Sequence, residues 1–362
     1  MIKASAPGKL YIAGEYAVLE PNHPAILIAL DQYITVRLEE SQTVGTISSR
    51  YSNFMPIPWT RKNGTVFVDE RENPFNYVIQ AIKTTESYIQ SLGIPLRFYN
   101  LMIDSDLDNK DGRKYGLGSS GAVTVATIKA LLRFYQVPFT KDMLYKLSVL
   151  AHLAIHSNGS FGDIAASTYG GWIAYSTFDR QWLQNKMQQL SIAELITMDW
   201  ADLRIQPLPA PKNLRLAIGW TGSPASTTHL VDQIQEDVEH EENYHERFLI
   251  EARAVVETMI EAFFNHDDAA ICHGIEQYRT LLQQLTQHTG VLIETPTLTE
   301  LCDLAIQHGG VAKSSGAGGG DCGIALLPQS ANIQQLAHDW EQHRIEYLHF
   351  KVHQEGEEKD DE

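Results

Sequence analysis

The chain has 362 residues, 43% of them apolar and 20% charged, with 25 Gly and 14 Pro; this excludes a disordered, collagenous or coiled-coil protein. At about 150 residues per domain the length accommodates two domains with real cores. Lys and Arg number 28 against 45 Asp and Glu, a net charge of -17, which repels phosphate backbones and anionic lipid and argues against nucleic-acid or membrane partners.

The first residues, MIKASAPGKLYIAGEYAVL, are interrupted by Pro7, Gly8, Lys9 and Glu15 and lack the apolar core of a signal peptide. Alternation from Tyr33 to Glu39, and strand formers at Val66 to Val68 and Leu96 to Ile103, make the first hundred residues mostly strand. Helical spacing follows at Asn76 to Leu92, Ser119 to Tyr135 and Lys141 to His156, the last with Thr140 as N-cap. Gly170 and Gly171 turn into a strand, WIAYSTF, and Gln181 to Asp202 is polar with helical stretches. The run QPLPAPKN, with Pro207, Pro209 and Pro211, is the best linker. Beyond it LRLAIGW predicts a buried strand, Ser226 to Phe264 and Ala269 to Thr289 long helices, Thr297 to His308 a helix, CGIALL a strand, Ala331 to Gln342 a helix and Ile345 to Val352 a last strand. Strands first and helices after predict an α+β fold rather than a doubly wound sheet. The expected domains are 1–210 and 211–354, with the acidic tail 355–362 disordered.

No stretch approaches the roughly 18 to 20 apolar residues of a membrane span. Cys272, Cys302 and Cys322 form no CxxC pair, which argues against a disulfide framework or zinc module and for a reducing cytosol. The expectation is a soluble cytoplasmic protein. His152 and His156, and likewise His349 and His353, stand four apart without a third ligand and are expected to be core or surface histidines. Trp172, Trp200 and Trp220 are expected in the core, and the acidic run Glu236 to Glu246 on a solvated helix face.

Three segments carry chemistry. In YGLGSSGAV, Tyr115 to Val123, glycines and two serines stand directly before a helix of small and apolar residues. Such a loop lets backbone N–H groups and the helix dipole meet an anion, and Ser119 and Ser120 add hydroxyls for phosphate or Mg2+. The pattern also satisfies G-x-G-x-x-G, but the preceding DSDLDNKDGRKY is no buried strand, and no Lys-Ser or Lys-Thr follows the glycines as a P-loop requires. The second segment, KSSGAGGGDCGIAL from Lys313 to Leu326, concentrates Gly316, Gly318, Gly319 and Gly320 before a strand, an entropic cost that fits a backbone held against a ligand. The third, PGKLYIAGEYAVL from Pro7 to Leu19, sets Lys9 and Glu15 beside glycines.

Together, in order and spacing, these segments resemble the signature motifs of the kinase superfamily of galactokinase, homoserine kinase, mevalonate kinase and phosphomevalonate kinase, over residues 7–326. Tyr16 in the first motif, NGSFGD at Asn158 to Asp163, the glycine-rich KSSGAGGGDCGIAL and the Ser/Thr-rich GWTGSPASTTHLV at Gly219 to Val231 are most similar to the bacterial phosphomevalonate kinases. The resemblance implies a two-domain α+β kinase with its site in the interdomain cleft, ATP and Mg2+ as cofactors, and phosphorylation of (R)-5-phosphomevalonate to (R)-5-diphosphomevalonate by a monomer or homodimer. It implies catalytic roles for Lys9, Asp163 and Lys114, and contact of Gly116, Leu117, Gly118, Ser119, Ser120, Gly121 and Ala122 with the ATP phosphates, Ser120 being the metal ligand. Glu15, Tyr16, Ser160, Ser226, Thr227, Thr228, His229, Ala317 and Gly318 are the implied substrate contacts. One departure is that the Glu metal ligand of mevalonate kinases falls here near His152, which is no substitute for a carboxylate on Mg2+. Mevalonate kinase, diphosphomevalonate decarboxylase and a non-catalytic sensor on the same scaffold are the alternatives; retention of Lys9, Asp163, Ser119 and Ser120 weighs against the sensor.

Overall fold

A computed structural model describes residues 1–50, 55–68, 74–108, 113–155, 159–223, 230–234 and 242–354. The first unit is built on an eight-stranded sheet. Its strands are β1 (Ile2–Ala13), β2 (Ala25–Ser41), β3 (Gly45–Ser49), β4 (Ile57–Lys62), β5 (Thr65–Val68), β6 (Phe98–Ser105), β7 (Trp172–Ser176) and β8 (Arg204–Leu208). Their order is β5-β4-β3-β6-β2-β7-β8, with β1 on β2, and only the β3–β6 pair among these is parallel. The long β2 serves three neighbours, pairing with β1 along most of its length, with β7 through its first residues and with β6 through its last. Between Pro7 and Lys9 the β1–β2 register slips. Such an irregularity re-aims the side chain that follows it, here Lys9.

Helices α1 (Asn76–Ser91), α2 (Ser119–Phe134), α3 (Lys141–Leu153) and α4 (Gly162–Tyr169) cover one face of this sheet, with α2 and α4 against β1. Helix α3 starts as expected, the Thr140 hydroxyl accepting from the Met143 N–H. Short helices α5 (Arg180–Met187) and α6 (Ile192–Leu195) follow β7. The proline-rich run differs from the expected linker at its start, because Pro207 pairs with Ile173 in β8. β8 is the sheet's edge, where a missing N–H is tolerated.

The second unit has a four-stranded antiparallel sheet in the order β10-β11-β9-β12, made of β9 (Leu214–Trp220), β10 (Val311–Ser314), β11 (Cys322–Pro328) and β12 (Glu346–Leu348). Its helices are α7 (Glu242–Asn265), α8 (Asp268–Thr289), α9 (Pro296–Gln307) and α10 (Ile333–Gln342). The expected last strand is divided: after β12 the chain returns to the first sheet, where the Asp31 N–H donates to the Lys351 carbonyl and the His353 N–H to the Ala29 carbonyl, each at 2.9 Å. His349 is exposed, whereas His353 is buried against the Tyr33 hydroxyl at 2.9 Å, so the pair does not converge on a metal. Trp172, Trp200 and Trp220 are buried as expected. Among the described residues no helix is long and apolar enough to cross a membrane.

One buried apolar cluster runs through both units, and a smaller one lies under the second sheet around Leu301, Trp340 and Leu336. There Gly219 and Gly323 are cross-strand partners, and Leu301 of α9 fills the space above both: a Cβ on Gly219 would come within 2.6 Å of its Cδ1, and one on Gly323 within 2.8 Å of its Cδ2. Leu301→Ala should therefore cost about 3 kcal/mol, transfer plus cavity terms combined. Denaturant unfolding checks this, and a loss below about 1 kcal/mol would show that the glycine trough is not filled by this side chain.

Candidate active site

A cleft of about 320 Å3 opens between the ends of β1, α1, α2, α3 and α4 and the loop after β10. It brings together Lys9, Glu15, Tyr16, Lys114, Gly116, Gly118, Ser119, Ser120, Ser160, Asp163 and Ala317 from the residues singled out above. Leu117, Gly121, Ala122 and Gly318 do not line it: Leu117 and Ala122 are buried in the core, Gly121 backs onto Asp163, and Gly318 packs on Ile293. Ser226, Thr227, Thr228 and His229 lie outside the described residues, as do Asn158, His156, the tail 355–362 and most of the acidic run.

Helix α2 begins at Gly118, whose φ of 76° is left-handed, and has no side-chain cap. Its first turn, with no acidic residue of its own, therefore presents N–H groups and the positive end of the dipole to the cleft, the arrangement that suits an anion. Two catalytic candidates converge on this turn. The Lys9 main chain is tied to the loop by its N–H donating to the Leu117 carbonyl at 2.8 Å, and its ammonium donates to the Gly116 carbonyl at 3.4 Å. Asp163 sits in the first turn of α4, where the dipole favours a carboxylate. A Cβ on Gly118 would lie 3.1 Å from Lys9 Cε and 3.2 Å from Asp163 Cβ, and one on Gly121 would lie 2.6 Å from Asp163 Oδ2. Lys114 is exposed at the mouth.

Ser160 anchors the turn into α4, its hydroxyl bonding the Tyr11 hydroxyl at 2.7 Å and accepting from the Gly162 N–H at 3.2 Å. The Tyr175 hydroxyl donates to the Ser160 carbonyl at 2.6 Å, and Arg180 to the Gly159 carbonyl at 2.8 Å. Burial pushes the Tyr11 and Tyr16 phenols well above the usual tyrosine range, so both remain neutral donors. Burial likewise pushes the thiols up, Cys272 to about 11 and Cys302 to about 12, which disfavours their thiolate forms.

The first and third motifs are stitched together. Glu15 Oε1 accepts from Lys313 Nζ at 2.5 Å and from the Gly316 N–H at 3.2 Å. The Ser315 hydroxyl accepts from the Tyr11 N–H and donates to the Tyr11 carbonyl, both at 2.9 Å, and the Tyr16 hydroxyl donates to the Ala317 carbonyl at 2.5 Å. Glu15 and Tyr16 thus hold the loop after β10 as well as lining the cleft.

Sequence reasoning assigned no role to Tyr11, Tyr77, Lys313, Ser315 or Asp321. Tyr77 of α1 reaches the cleft beside Ser120, and only its place on the helix's buried side signals it. Lys313 stood inside a quoted motif, but a lysine in an apolar strand does not disclose its partner. His152 lines the cleft between the rings of Tyr77 and Phe161, with centroids 4.9 and 5.9 Å away. Among the described residues no three His, Cys, Asp or Glu side chains gather as a metal cluster.

Residues 76–171 match the GHMP kinases N terminal domain and residues 259–345 the GHMP kinases C terminal domain. A phosphomevalonate kinase of Streptomyces sp. (strain CL190) is 38% identical over 348 residues, 93% of each chain. The structure of Streptococcus pneumoniae phosphomevalonate kinase in complex with phosphomevalonate and AMPPNP superposes with a TM-score of 0.86 at 30% identity, covering 98% of this chain and 100% of that one. A mevalonate kinase of Thermococcus gammatolerans is 26% identical over 339 residues, 91% of this chain and 90% of its own. The chain belongs to the GHMP kinases and, within them, to the phosphomevalonate kinases.

Proposed function

We infer that this enzyme transfers the γ-phosphoryl group of ATP to (R)-5-phosphomevalonate, releasing ADP and (R)-5-diphosphomevalonate. The observation that carries the reading is 38% identity to a phosphomevalonate kinase over 93% of the chain, with its kinase motifs meeting in one cleft. An acceptor phosphate oxygen attacks the γ-phosphorus, a new P–O bond forms, and the bond to the β,γ-bridging oxygen breaks with its electron pair going to ADP. Such transfers are accelerated by alignment and by stabilisation of charge on the transferring group.

In this reading the uncapped start of α2 binds the ATP phosphates through the N–H groups of Ser119 to Gly121 and the Ser119 and Ser120 hydroxyls, the Ala122 N–H being donated to the Gly118 carbonyl. The Lys9 ammonium, held over the phosphate loop by the Gly116 carbonyl, offsets charge on the moving group. Lys114 at the mouth attracts the second anionic ligand into an otherwise acidic protein. The acceptor is already a phosphate, whose second pKa near 6 leaves it largely deprotonated at neutral pH. Asp163 accordingly orients Lys9 and takes the residual proton, rather than activating an alcohol. Ser160, Tyr16, Ala317 and the backbone around Gly318 shape the acceptor end, with Ser226, Thr227, Thr228 and His229 as further contacts to its phosphate.

Mg2+ arrives with the nucleotide in this reading. The donors near the loop, the Ser120 hydroxyl and the Asp163 carboxylate, are oxygens that suit this hard cation, whereas His152 is packed between two aromatic rings. When bound, the ion neutralises charge on the β- and γ-phosphates. Three unpaired cysteines support a reducing, cytoplasmic setting, and we take the working unit to be a monomer or homodimer.

ADP release with Mg-ATP, measured separately with mevalonate, 5-phosphomevalonate and 5-diphosphomevalonate while CO2 is monitored, should show turnover with 5-phosphomevalonate alone and no CO2. Turnover only with mevalonate, or CO2 release, would move the activity elsewhere in the superfamily. Lys9→Met and Asp163→Asn should each lower kcat at least about 100-fold with an unchanged thermal midpoint. Near-normal turnover in both would refute their roles. Gly121→Ala, whose methyl would press on Asp163 Oδ2, should cost roughly 10 to 100-fold in kcat while far-UV circular dichroism stays native.

A further inference from the structure

The loop after β10 must hold one shape at the acceptor end of the cleft, although Gly316 and Gly318 take left-handed φ values of 80° and 73° and add no side-chain restraint. Its restraints come from the first motif. Glu15 Oε1 receives both the Lys313 ammonium and the Gly316 N–H, so the residue just before the loop's first turns and the turn itself share one acceptor atom. The Lys313 ammonium also donates to the Ser314 carbonyl at 2.5 Å, tying the strand end to the same point. Tyr278 closes the arrangement from α8: its hydroxyl donates to the Glu15 carbonyl at 2.7 Å, and Lys313 Nζ lies 5.8 Å from its ring centroid.

The Lys313 side chain is 0% exposed and that of Glu15 2%. Glu15 lines the cleft and Lys313 does not, so the ammonium is hidden from both anionic ligands and its charge is matched within the protein. A buried ion pair of this kind is a poor source of net stability compared with apolar side chains of the same size. It does fix direction, because a carboxylate facing a single ammonium has one favoured placement. Glu15 Oε2 has no hydrogen-bond partner among the described residues, so Lys313 and Gly316 alone orient the carboxylate.

We propose that Lys313 is a positioning residue for phosphoryl transfer, acting through Glu15 to hold the Gly316–Gly318 backbone where the acceptor phosphate docks. The proposal rests on the phosphomevalonate kinase reading for the identity of the acceptor, but not for the mechanics of the loop. It separates Lys313 from Lys9 and Lys114, which face the cleft and act on ligand charge directly.

The test uses the full chain with Lys313→Met, Glu15→Gln and the double variant, each followed by thermal unfolding, by steady-state kinetics with ATP and phosphomevalonate varied in turn, and by amide hydrogen exchange. Each single change strands one buried charge and should lower the thermal midpoint, whereas the double change removes both charges and should recover most of it. In all three variants kcat/KM for phosphomevalonate should stay at least about 10-fold down while KM for ATP stays within about two-fold, since the α2 loop is untouched. Amides of 315–320 should exchange faster in all three, and those of α2 should not. A double variant that regains midpoint, acceptor kcat/KM and 315–320 protection together would overturn the proposal and leave the pair a purely structural one. An equal rise in KM for ATP would overturn it as well, by showing a global effect. If the wild type turned over another acceptor instead, the assigned substrate would fail while the exchange comparison still judged Lys313.

Discussion

The site depends on how closely two charged side chains can approach a helix start. Lys9 and Asp163 both pack against the first turn of α2, and they do so in space that a Cβ at 118 or 121 would occupy. Removing those carbons brings an ammonium and a carboxylate to the same few ångströms in which the helix offers its N–H groups. In low-dielectric surroundings fixed charges and dipoles gain much more from such proximity than they do in water. The rest of the architecture places these partners: the slipped register in β1 aims Lys9, the Ser160 anchor holds the start of α4, whose first turn carries Asp163, and the β1–α2–α4 packing locks the three elements together.

A protein of net charge -17 that must bind two polyanions together poses an electrostatic problem, and the cleft answers it locally. The cationic groups of its lining are Lys9 and Lys114, which with the α2 terminus stand beside Asp163 and Asp321, while Glu15 is matched by Lys313. Neutral Tyr11 and Tyr16 supply hydrogen bonds without charge, because burial keeps their phenols protonated. The acidic remainder of the surface discourages other polyanions, so selection for small anionic ligands is shared between the pocket and the whole molecule.

Most helices and the central strands were legible because each buries one face against a sheet and so keeps its period. The glycine- and serine-rich turn before α2 was legible as a helix start lining the cleft because such residues before a small-residue helix have few other uses. Less was visible where tertiary context decides. Pro207 reads as a linker signal until an edge strand is available to it, and residues 345–352 read as one strand although the chain changes sheets within them. Tyr77 gave only the weak signal of its helix side and Lys313 none that disclosed a partner, since their meaning lies in contacts with residues far away in sequence: Tyr77 beside Asp163 and Ser120, Lys313 beside Glu15. Conversely, Leu117 and Ala122, carried over with their motif, turn out to be buried, so any part they play with phosphate is confined to the backbone.

A phosphate acceptor and an alcohol acceptor ask different things of a site. An alcohol must lose its proton as it attacks, which favours a carboxylate with a raised pKa or a metal cluster around the hydroxyl. A phosphate acceptor brings its own anionic oxygen and a second burden, repulsion from the γ-phosphate. The scarce resource is then positive charge held at fixed distance, together with a rigid loop that keeps two like-charged groups in line. The cleft carries such restraints: the Lys9 main chain is bound to the Leu117 carbonyl, and the loop after β10 is stitched to β1 through Ser315 and to the turn after β1 through Tyr16 and Glu15. For such an acceptor, geometry set before binding counts for more than proton abstraction, because it costs nothing at the moment of transfer.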